Sequence, residues 1–548
     1  MGKVTIKMGL PLFNFPTKSR FVVILHNFVL IKLNSHKMQR YPVGIQDFSE
    51  LRKGGYVYVD KTALAYKIIN QSKYYFLSRP RRFGKSLFVS MLECLFQAGG
   101  DPRKKEYFEG LNIYEKWNWE ETNPVIKISF SNIGHKSMGL EQAIQKVLNE
   151  IADKYSVQFE AVEIDQKFKE LIEKLSVKYG NVVILIDEYD KPIIDFLGTD
   201  NPKAIENRNI MKSFYSILKD ADPYLKLVFI TGVSQFSRVS IFSDLNNLRD
   251  LTVNKEFEAI CGISQAELES NFVEEYQQYD TTKMKKWYNG YSWGGKNQMY
   301  NPFSLLSFFV SNGEFNNYWF ETGTPTFLLN LNLSNQKYDF EDIKIPSLQL
   351  KAYDIERLQL IPLMFQTGYL TIKNYNEEDD LYELSYPNEE VRRSYVSLLA
   401  DAYTHSYNEP IQVMATEIRN ALRIADLKKV ESILNSVFKS LPYEVWQKEN
   451  EHFYHAIIHL TFRLLGIYVE SQVQTSDGRM DALVKVNDYV YAFEFKLDES
   501  AENALQQVKD KGYLQPYFHQ NKYCIGVGIN FSTATKKVEK LVWEEMKP

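Results

Sequence analysis

The sequence predicts an α/β multidomain protein with a parallel sheet flanked by helices on both faces at the front. A mainly helical middle with a winged-helix-like element follows, then a tail of αβββαβ order. Three observations carry this. At 548 residues the chain exceeds what one hydrophobic core supports, so several domains are expected. A strand, tight loop and helix around Gly84-Lys85-Ser86 is answered about 100 residues later by an apolar run ending in two acids. The last hundred residues alternate one helix, three strand-like runs, a second helix and a final strand. The expected boundaries are 1–38 for an extension, 39–264 for the front domain, 265–440 for the middle and 441–548 for the tail.

Composition narrows the class further. With 44% hydrophobic and 24% charged residues the chain has the make-up of a folded globular protein, which excludes collagen-like and wholly disordered classes. Cys94, Cys261 and Cys524 are far apart, so neither a disulfide framework nor a cysteine zinc site is expected, and a reducing compartment fits. Six of the 65 basic residues and no acid lie in residues 1–38, leaving 59 basic against 69 acidic residues in the body. A field of that sign gives no bulk attraction to nucleic acid, so any such binding needs a locally basic groove.

The first 38 residues hold the apolar run Phe21–Ile31, interrupted by His26 and Asn27. Eleven residues are too few for a membrane-spanning helix, which takes roughly 20, and no small-residue cleavage pattern follows. The expectation is an upstream extension with initiation at Met38; a peripheral strand or helix and a targeting segment are the alternatives. No other stretch is long and apolar enough to cross a membrane as a helix, so a cytoplasmic protein without membrane contact is expected.

In the front domain, Tyr74–Ser78 reads as a strand, Arg79-Pro-Arg-Arg-Phe-Gly84-Lys85-Ser86 as a loop, and the apolar run after it as a helix. That order suits a bound phosphate: backbone N–H groups and the helix N-terminus face the anion, Lys85 reaches the terminal phosphates, and the Ser86 hydroxyl holds magnesium. The glycine that usually stands five residues before Gly84 is Arg79 here, which places nucleotide binding ahead of rapid hydrolysis as an expectation. The run Val182–Asp187 followed by Glu188 reads as a buried parallel strand presenting a magnesium-holding aspartate, Asp187, and a water-polarising glutamate, Glu188. Strand-like runs at 124–130 and 225–232 complete the sheet. Thr231 and Ser234 close the last of them and are candidates to sense a terminal phosphate, or else to cap a turn.

Together with these, Tyr41-Pro-Val-Gly-Ile-Gln-Asp-Phe, Tyr58-Val-Asp60-Lys-Thr, Ile186-Asp-Glu-Tyr-Asp190, Trp287-Tyr-Asn-Gly-Tyr-Ser and Tyr318-Trp-Phe-Glu-Thr-Gly-Thr-Pro325 resemble the AAA-ATPase-like proteins of anaerobic bacteria, over about residues 39–330. The resemblance implies ATP and Mg2+ bound by Arg79, Arg82, Phe83, Gly84, Lys85, Ser86, Asp187 and Thr231, with Glu188 catalytic. It also implies a role for Asp60 near the base; a helix cap ahead of Thr62 is the alternative. A homo-oligomer is compatible with it.

The middle alternates amphipathic helical patterns with aromatic turns. Residues 355–365 read as a helix, and 369–373 with 381–385 as a hairpin whose tip, Asn-Glu-Glu-Asp-Asp, is acidic. A helix followed by a hairpin suggests a winged-helix-like element, and the acidic tip favours a lid or coupling role over DNA contact.

In the tail, residues 449–465 read as a helix, 468–473, 479–486 and 489–496 as strands, 502–513 as a helix and 523–529 as a strand. The strand period of two puts Glu494 and Lys496 on one face and Phe493 and Phe495 on the other. Asp481 lies thirteen residues ahead across one hairpin. Two carboxylates then supply hard oxygen ligands for magnesium or manganese while Lys496 orients water against a phosphodiester; an exposed cross-strand ion pair is the alternative. His452, His455 and His459 share one helix face, but packing rather than metal binding is expected of them.

Gly478-Arg-Met-Asp481, Phe493-Glu-Phe-Lys496 and Ala504-Leu-Gln-Gln-Val-Lys resemble the PD-(D/E)xK nuclease superfamily, with Met480 where many members have proline. That resemblance implies Asp481, Glu494 and Lys496 as the catalytic core, Glu451 as a further carboxylate and Gln507 as a helper. It implies nucleic acid as substrate, DNA ahead of RNA. Residues 441–548 hold 12 basic and 15 acidic residues, so the groove is expected to be built from few cations, with Arg463, Arg479, Lys509 and Lys511 as candidates. The expected function is an ATP-binding and ATP-hydrolysing protein whose nucleotide state regulates a metal-dependent nuclease. The alternative is an ATP-switched scaffold whose tail binds without cleaving.

Overall fold

The computed structural model describes residues 40–547 apart from 235–240, 243–244, 246, 321–325, 336, 338, 352–358, 405–410, 440–456, 458, 465–469 and 477–478. The front sheet is built from runs of aliphatic and aromatic residues too apolar to face water on either side. All of β1 (Tyr74–Ser78) and β3 (Val182–Asp187) is buried, as parallel strands between helical layers require. With β2 (Val125–Ser129), β4 (Leu225–Gly232) and β5 (Arg249–Asp250) they form one parallel sheet in the order β2-β3-β4-β1-β5. The acidic strand β3 therefore lies between β2 and β4, and β4 separates it from the loop-bearing strand β1. The two-residue edge strand β5 was absent from the sequence reading, being too short to leave a period.

The middle is mainly helical. The short strands β6 (Ile263–Ser264) and β7 (Met299–Tyr300) pair antiparallel, and helices Thr281–Tyr288 and Pro302–Val310 form a second small core with them. Helix Leu360–Thr367 precedes the hairpin β9 (Thr371–Asn376) and β10 (Leu381–Ser385), a helix followed by a hairpin. A further strand, β8 (Ile343–Pro346), joins them in the order β8-β10-β9. The early part of the expected helix, 355–358, lies outside the described residues.

The tail sheet comprises β11 (Glu470–Ser476), β12 (Arg479–Val486), β13 (Tyr489–Leu497), β14 (Tyr523–Ser532) and β15 (Lys537–Met546), in chain order. Helix Ala501–Lys511 crosses between β13 and β14, which run parallel. Gly528 permits the close crossing, since a β-carbon there would strike the Ala501 carbonyl and the Leu505 backbone. The fifth strand extends the αβββαβ order by one edge strand. Its sequence, Lys-Val-Glu-Lys-Leu-Val-Trp-Glu-Glu-Met, is charged because β15 is an edge strand with one face in water. Helical residues 459–464 place Phe462 against Phe493 and Phe495, at 5.0 and 5.1 Å between ring centres. Among the described residues, no helix is long and apolar enough to cross a membrane, and all three cysteines are free and buried.

Candidate functional sites

At the front, β1 ends in the loop 79–84 and helix Lys85–Phe96 begins, with Gly84 at its N-cap in the left-handed region, φ 94°. Gly84 turns the chain so that the first N–H groups of the helix open onto a cavity of about 350 Å3. Arg82, Gly84, Lys85, Ser86 and Glu188 line this cavity, as do Gly44–Gln46 and Pro302-Phe303. The Lys85 ammonium donates to the carbonyls of Arg79 and Pro80 at 2.8 and 3.0 Å. Burial pushes its pKa down, opposed by the charges of Glu188 and Asp187. A lysine that rests on loop carbonyls can exchange them for a phosphate at little cost in side-chain ordering.

The carboxylates opposite are divided between partners. Asp187, buried at the end of β3, accepts from the Thr231 hydroxyl on β4 at 2.6 Å. Glu188 has a left-handed backbone, φ 54°, and accepts from the Ser131 hydroxyl beyond β2. A non-glycine residue held in that region stores strain, and here the strain turns the carboxylate toward the cavity. Asp190 accepts from the backbone N–H groups of Val233 and Ser234 and from the Ser234 hydroxyl; burial pushes its pKa up against those bonds.

Three sequence expectations change on this geometry. The Arg79 guanidinium does not line the cavity: it is fully buried, donates to the carbonyls of Ser78, Thr252 and Phe257, and stacks 3.9 Å over Trp293. Burial lowers its pKa to about 10. It acts as a pillar beneath the loop, which is why a large residue stands where a glycine is usual. Phe83 keeps its place in the cavity wall, with its ring packed against Tyr291 and Trp293. Thr231 and Ser234 hold Asp187 and Asp190 and do not line the cavity. Asp60 caps, accepting from the Thr62 N–H and hydroxyl and from the Asn112 N–H. Arg82 is exposed, with a left-handed backbone and its charge 5.0 Å over Phe303.

In the tail, the antiparallel register sets Asp481 directly opposite Glu494, a position that shares a sheet face with it. The structure describes the backbone of Asp481 only, and Glu451 lies outside the described residues. Glu494 and Lys496 are both buried, and the Lys496 ammonium donates to the Gln507 side-chain carbonyl at 2.7 Å. Gln507 thus fixes the lysine from the crossing helix. The donor set is oxygen from carboxylates, the chemistry of magnesium or manganese, and Asp481 with Glu494 would hold the ion. At the front Ser86 lines the cavity and would hold the ion, while Asp187, expected to share it, accepts from Thr231 and is not among the lining residues.

Two of the four expected groove cations are committed elsewhere, Lys511 lies 5.4 Å over the Tyr513 ring, and the Arg479 side chain lies outside the described residues. Arg463 pairs with Glu341 at 2.7 Å, and Lys509 pairs with Glu544 at 2.7 Å. His459 is buried beside Arg463 and 3.9 Å from Asp339. Burial lowers its pKa to about 4, with Asp339 opposing and Arg463 reinforcing. His452 and His455 lie outside the described residues, and among the described residues no group of three or more His, Cys, Asp and Glu forms a metal cluster. What the sequence reading missed is a cleft of about 300 Å3 lined by Lys439, Lys536 and Lys537, at the end of the sheet toward which Glu494 and Lys496 lie. Adjacent lysines at a turn were the only signal for it.

Comparison with known proteins agrees with both halves. A family model described as a predicted AAA-ATPase matches residues 42–242, and one described as the PD-(D/E)XK nuclease superfamily matches residues 449–541. The "Uncharacterized protein in vnfD 5'region" of Azotobacter chroococcum mcd 1 is 37% identical over 524 residues, covering 93% of this chain and 99% of that protein. Among solved structures, the Aeropyrum pernix ORC1 protein in complex with DNA aligns at 11% identity and a TM-score of 0.25, over 76% of this chain and 85% of that one; that likeness is too low to argue from. A parallel sheet with a phosphate loop ahead of a carboxylate-bearing mixed sheet, matched by both family models, identifies the chain as a member of the AAA-ATPase-like family that carries a PD-(D/E)XK nuclease superfamily domain at its C-terminus.

Proposed function

We propose that the protein binds and hydrolyses ATP at the front cavity and cleaves nucleic acid, DNA ahead of RNA, at the tail site, with nucleotide occupancy regulating the tail. The observation that carries this reading is the physical continuity of the two sites. The Trp319 indole N–H donates to the Arg81 carbonyl in the phosphate loop at 3.1 Å. Gly368, the left-handed cap of helix Leu360–Thr367, sits so close to Pro80 that a β-carbon would overlap its ring. From Trp319 ring contacts run to Tyr369 at 5.3 Å, to Tyr395 at 5.0 Å and to Phe340 at 5.8 Å. The residues on either side of Phe340, Asp339 and Glu341, hold Arg463, whose neighbour Phe462 packs beside the strand of Glu494. Packed rings move as a unit, so a loop shifted by a nucleotide presses on the helical residues that back the strand of Glu494 and Lys496, on the face opposite those two side chains.

In this reading Lys85 and the helix N-terminus neutralise the terminal phosphates, Asp187 is kept in place by Thr231, and Glu188 accepts a proton from the attacking water once Ser131 releases it. In the tail, Lys496 positions water against the phosphodiester, with Gln507 fixing its direction. Bound divalent cations supply Lewis acidity and charge neutralisation at both sites. The buried free thiols fit action in a reducing cytoplasm, where nucleic acid and ATP are both available.

The test of the cleavage half is incubation of the full chain with single- and double-stranded DNA and RNA in magnesium or manganese, beside Asp481→Ala. Cleavage lost in the variant supports the assignment. Cleavage by neither protein moves the reading to a scaffold whose tail binds without cutting, which the commitment of Arg463 and Lys509 to ion pairs favours as the second reading.

A further inference from the structure

The middle carries a cationic cleft that neither site uses. Its volume is about 340 Å3, and Lys285, Lys286, Lys373, Thr282, Asn289 and Gln298 line it, with Gly290 and Pro387 at its floor. No carboxylate lines it, in a chain whose residues beyond 38 hold ten more acids than bases. Solvated lysines on a helix are commonplace and signify nothing alone. Here they come from elements far apart in sequence: Lys285 and Lys286 from the last turn of helix Thr281–Tyr288, and Lys373 from strand β9.

The floor is built to bring them together. Gly290 has φ 111°, and a β-carbon there would strike the Pro387 carbonyl, so only glycine lets the turn after the helix press against that segment. The same carbonyl accepts from the Lys373 ammonium at 3.1 Å, which fixes the charge at the cleft. Burial of the ammonium lowers its pKa to about 8. The nearest acid to Lys286 is Glu389, at 3.9 Å, and Glu389 already pairs with Arg392 and Arg393 at 2.9 and 3.0 Å. The local field is therefore positive on balance.

We propose that this cleft is a second phosphate-binding site, taking phosphoryl oxygens between the three lysine ammonium groups, with the Asn289, Gln298 and Thr282 side chains as neutral polar partners. It shares no lining residue with the cavity at the phosphate loop. The phosphate comes from a nucleic-acid backbone or from a free polyphosphate, and it stands whether or not the tail cleaves.

The experiment uses the full chain carrying Lys85→Ala, which silences the phosphate loop, in EDTA so that no cleavage intervenes. Affinities for a fluorescein-labelled 20-nucleotide single strand and for inorganic pyrophosphate are compared with those of the same chain bearing Lys285→Gln, Lys286→Gln and Lys373→Gln. Expected is at least a tenfold loss for one or both probes, with the salt slope for the single strand reduced by about 2, at roughly 0.7 per phosphate contact. Arginine at the three positions is expected to restore binding, which separates charge from misfolding. Loss for the strand alone identifies a backbone, and loss for pyrophosphate as well identifies a free polyphosphate. Unchanged affinity for both probes, or binding of neither probe by the chain with its three lysines intact, overturns the proposal.

Discussion

The front and tail sites use carboxylates and a lysine for opposite geometric ends. At the front the groups are dispersed over four segments: Lys85 on a helix, Asp187 and Glu188 at the end of β3, Thr231 on β4 and Ser131 beyond β2. Each is restrained by a partner within the protein before any ligand arrives. In the tail, Glu494 and Lys496 alternate on one strand and Asp481 opposes Glu494 across one hairpin, so two neighbouring strands set the whole core. The lesson is that a site assembled from many segments can respond to changes elsewhere in the fold, while a site assembled on one hairpin is regulated only through access.

The largest effect is expected of Glu188→Gln. If Glu188 is the base, ATP turnover falls on the order of 10²–10⁴-fold while nucleotide binding persists. Steady-state turnover and equilibrium binding measured on the same sample check this, and unchanged turnover removes Glu188 from the reaction.

Next in size is Lys85→Ala, expected to weaken nucleotide binding by roughly 30- to 150-fold, the equivalent of a charge-assisted contact of about 2–3 kcal/mol. The variant is expected to remain folded, because the Lys85 ammonium bonds two loop carbonyls that a water can satisfy in its place. Calorimetric titration with an ATP analogue reads the loss directly.

A third prediction concerns the junction. His459 is held neutral, its pKa lowered to about 4 by burial. An unfolded histidine takes up its proton near pH 6.5, so stability from this group is present above that value and is lost as pH falls from about 6.5 toward 4. The expected loss is on the order of 2 kcal/mol, with Asp339 and Arg463 as the charges facing the ring. Urea unfolding at pH 7 and pH 5 measures it, and His459→Gln should flatten the difference.

The smallest expected effect is Trp319→Phe, which keeps the ring contact with Tyr369 but removes the indole hydrogen bond to Arg81. Loss of about 1 kcal/mol of coupling, roughly fivefold, is expected in the ATP dependence of the tail with little change in ATP affinity. An unchanged ATP dependence would break the proposed route at its first link.

Legibility followed the same division. The phosphate loop and the acid-ended strand could be read because each is a local pattern: a Gly-Lys-Ser turn, and a run of six buried residues. The tail core could be read from the strand period alone. What stayed hidden was pairing at a distance. No spacing rule announces that Thr231 holds Asp187 or that Arg79 folds beneath its own loop onto Trp293, because those contacts are set by sheet order and by chain more than 170 residues away in the second case. The edge strand β15 was missed for a different reason: an edge carries charge on its open side and so loses the apolar run that marks a central strand.

The central claim is that the front cavity governs the tail. The most direct measurement is the rate of metal-dependent nucleic-acid cleavage by the full chain with and without ATP, alongside Lys85→Ala. The account predicts that ATP changes the rate for the native chain by several-fold and leaves the Lys85→Ala rate unchanged. Cleavage that proceeds at one rate in both proteins, with or without ATP, would contradict it.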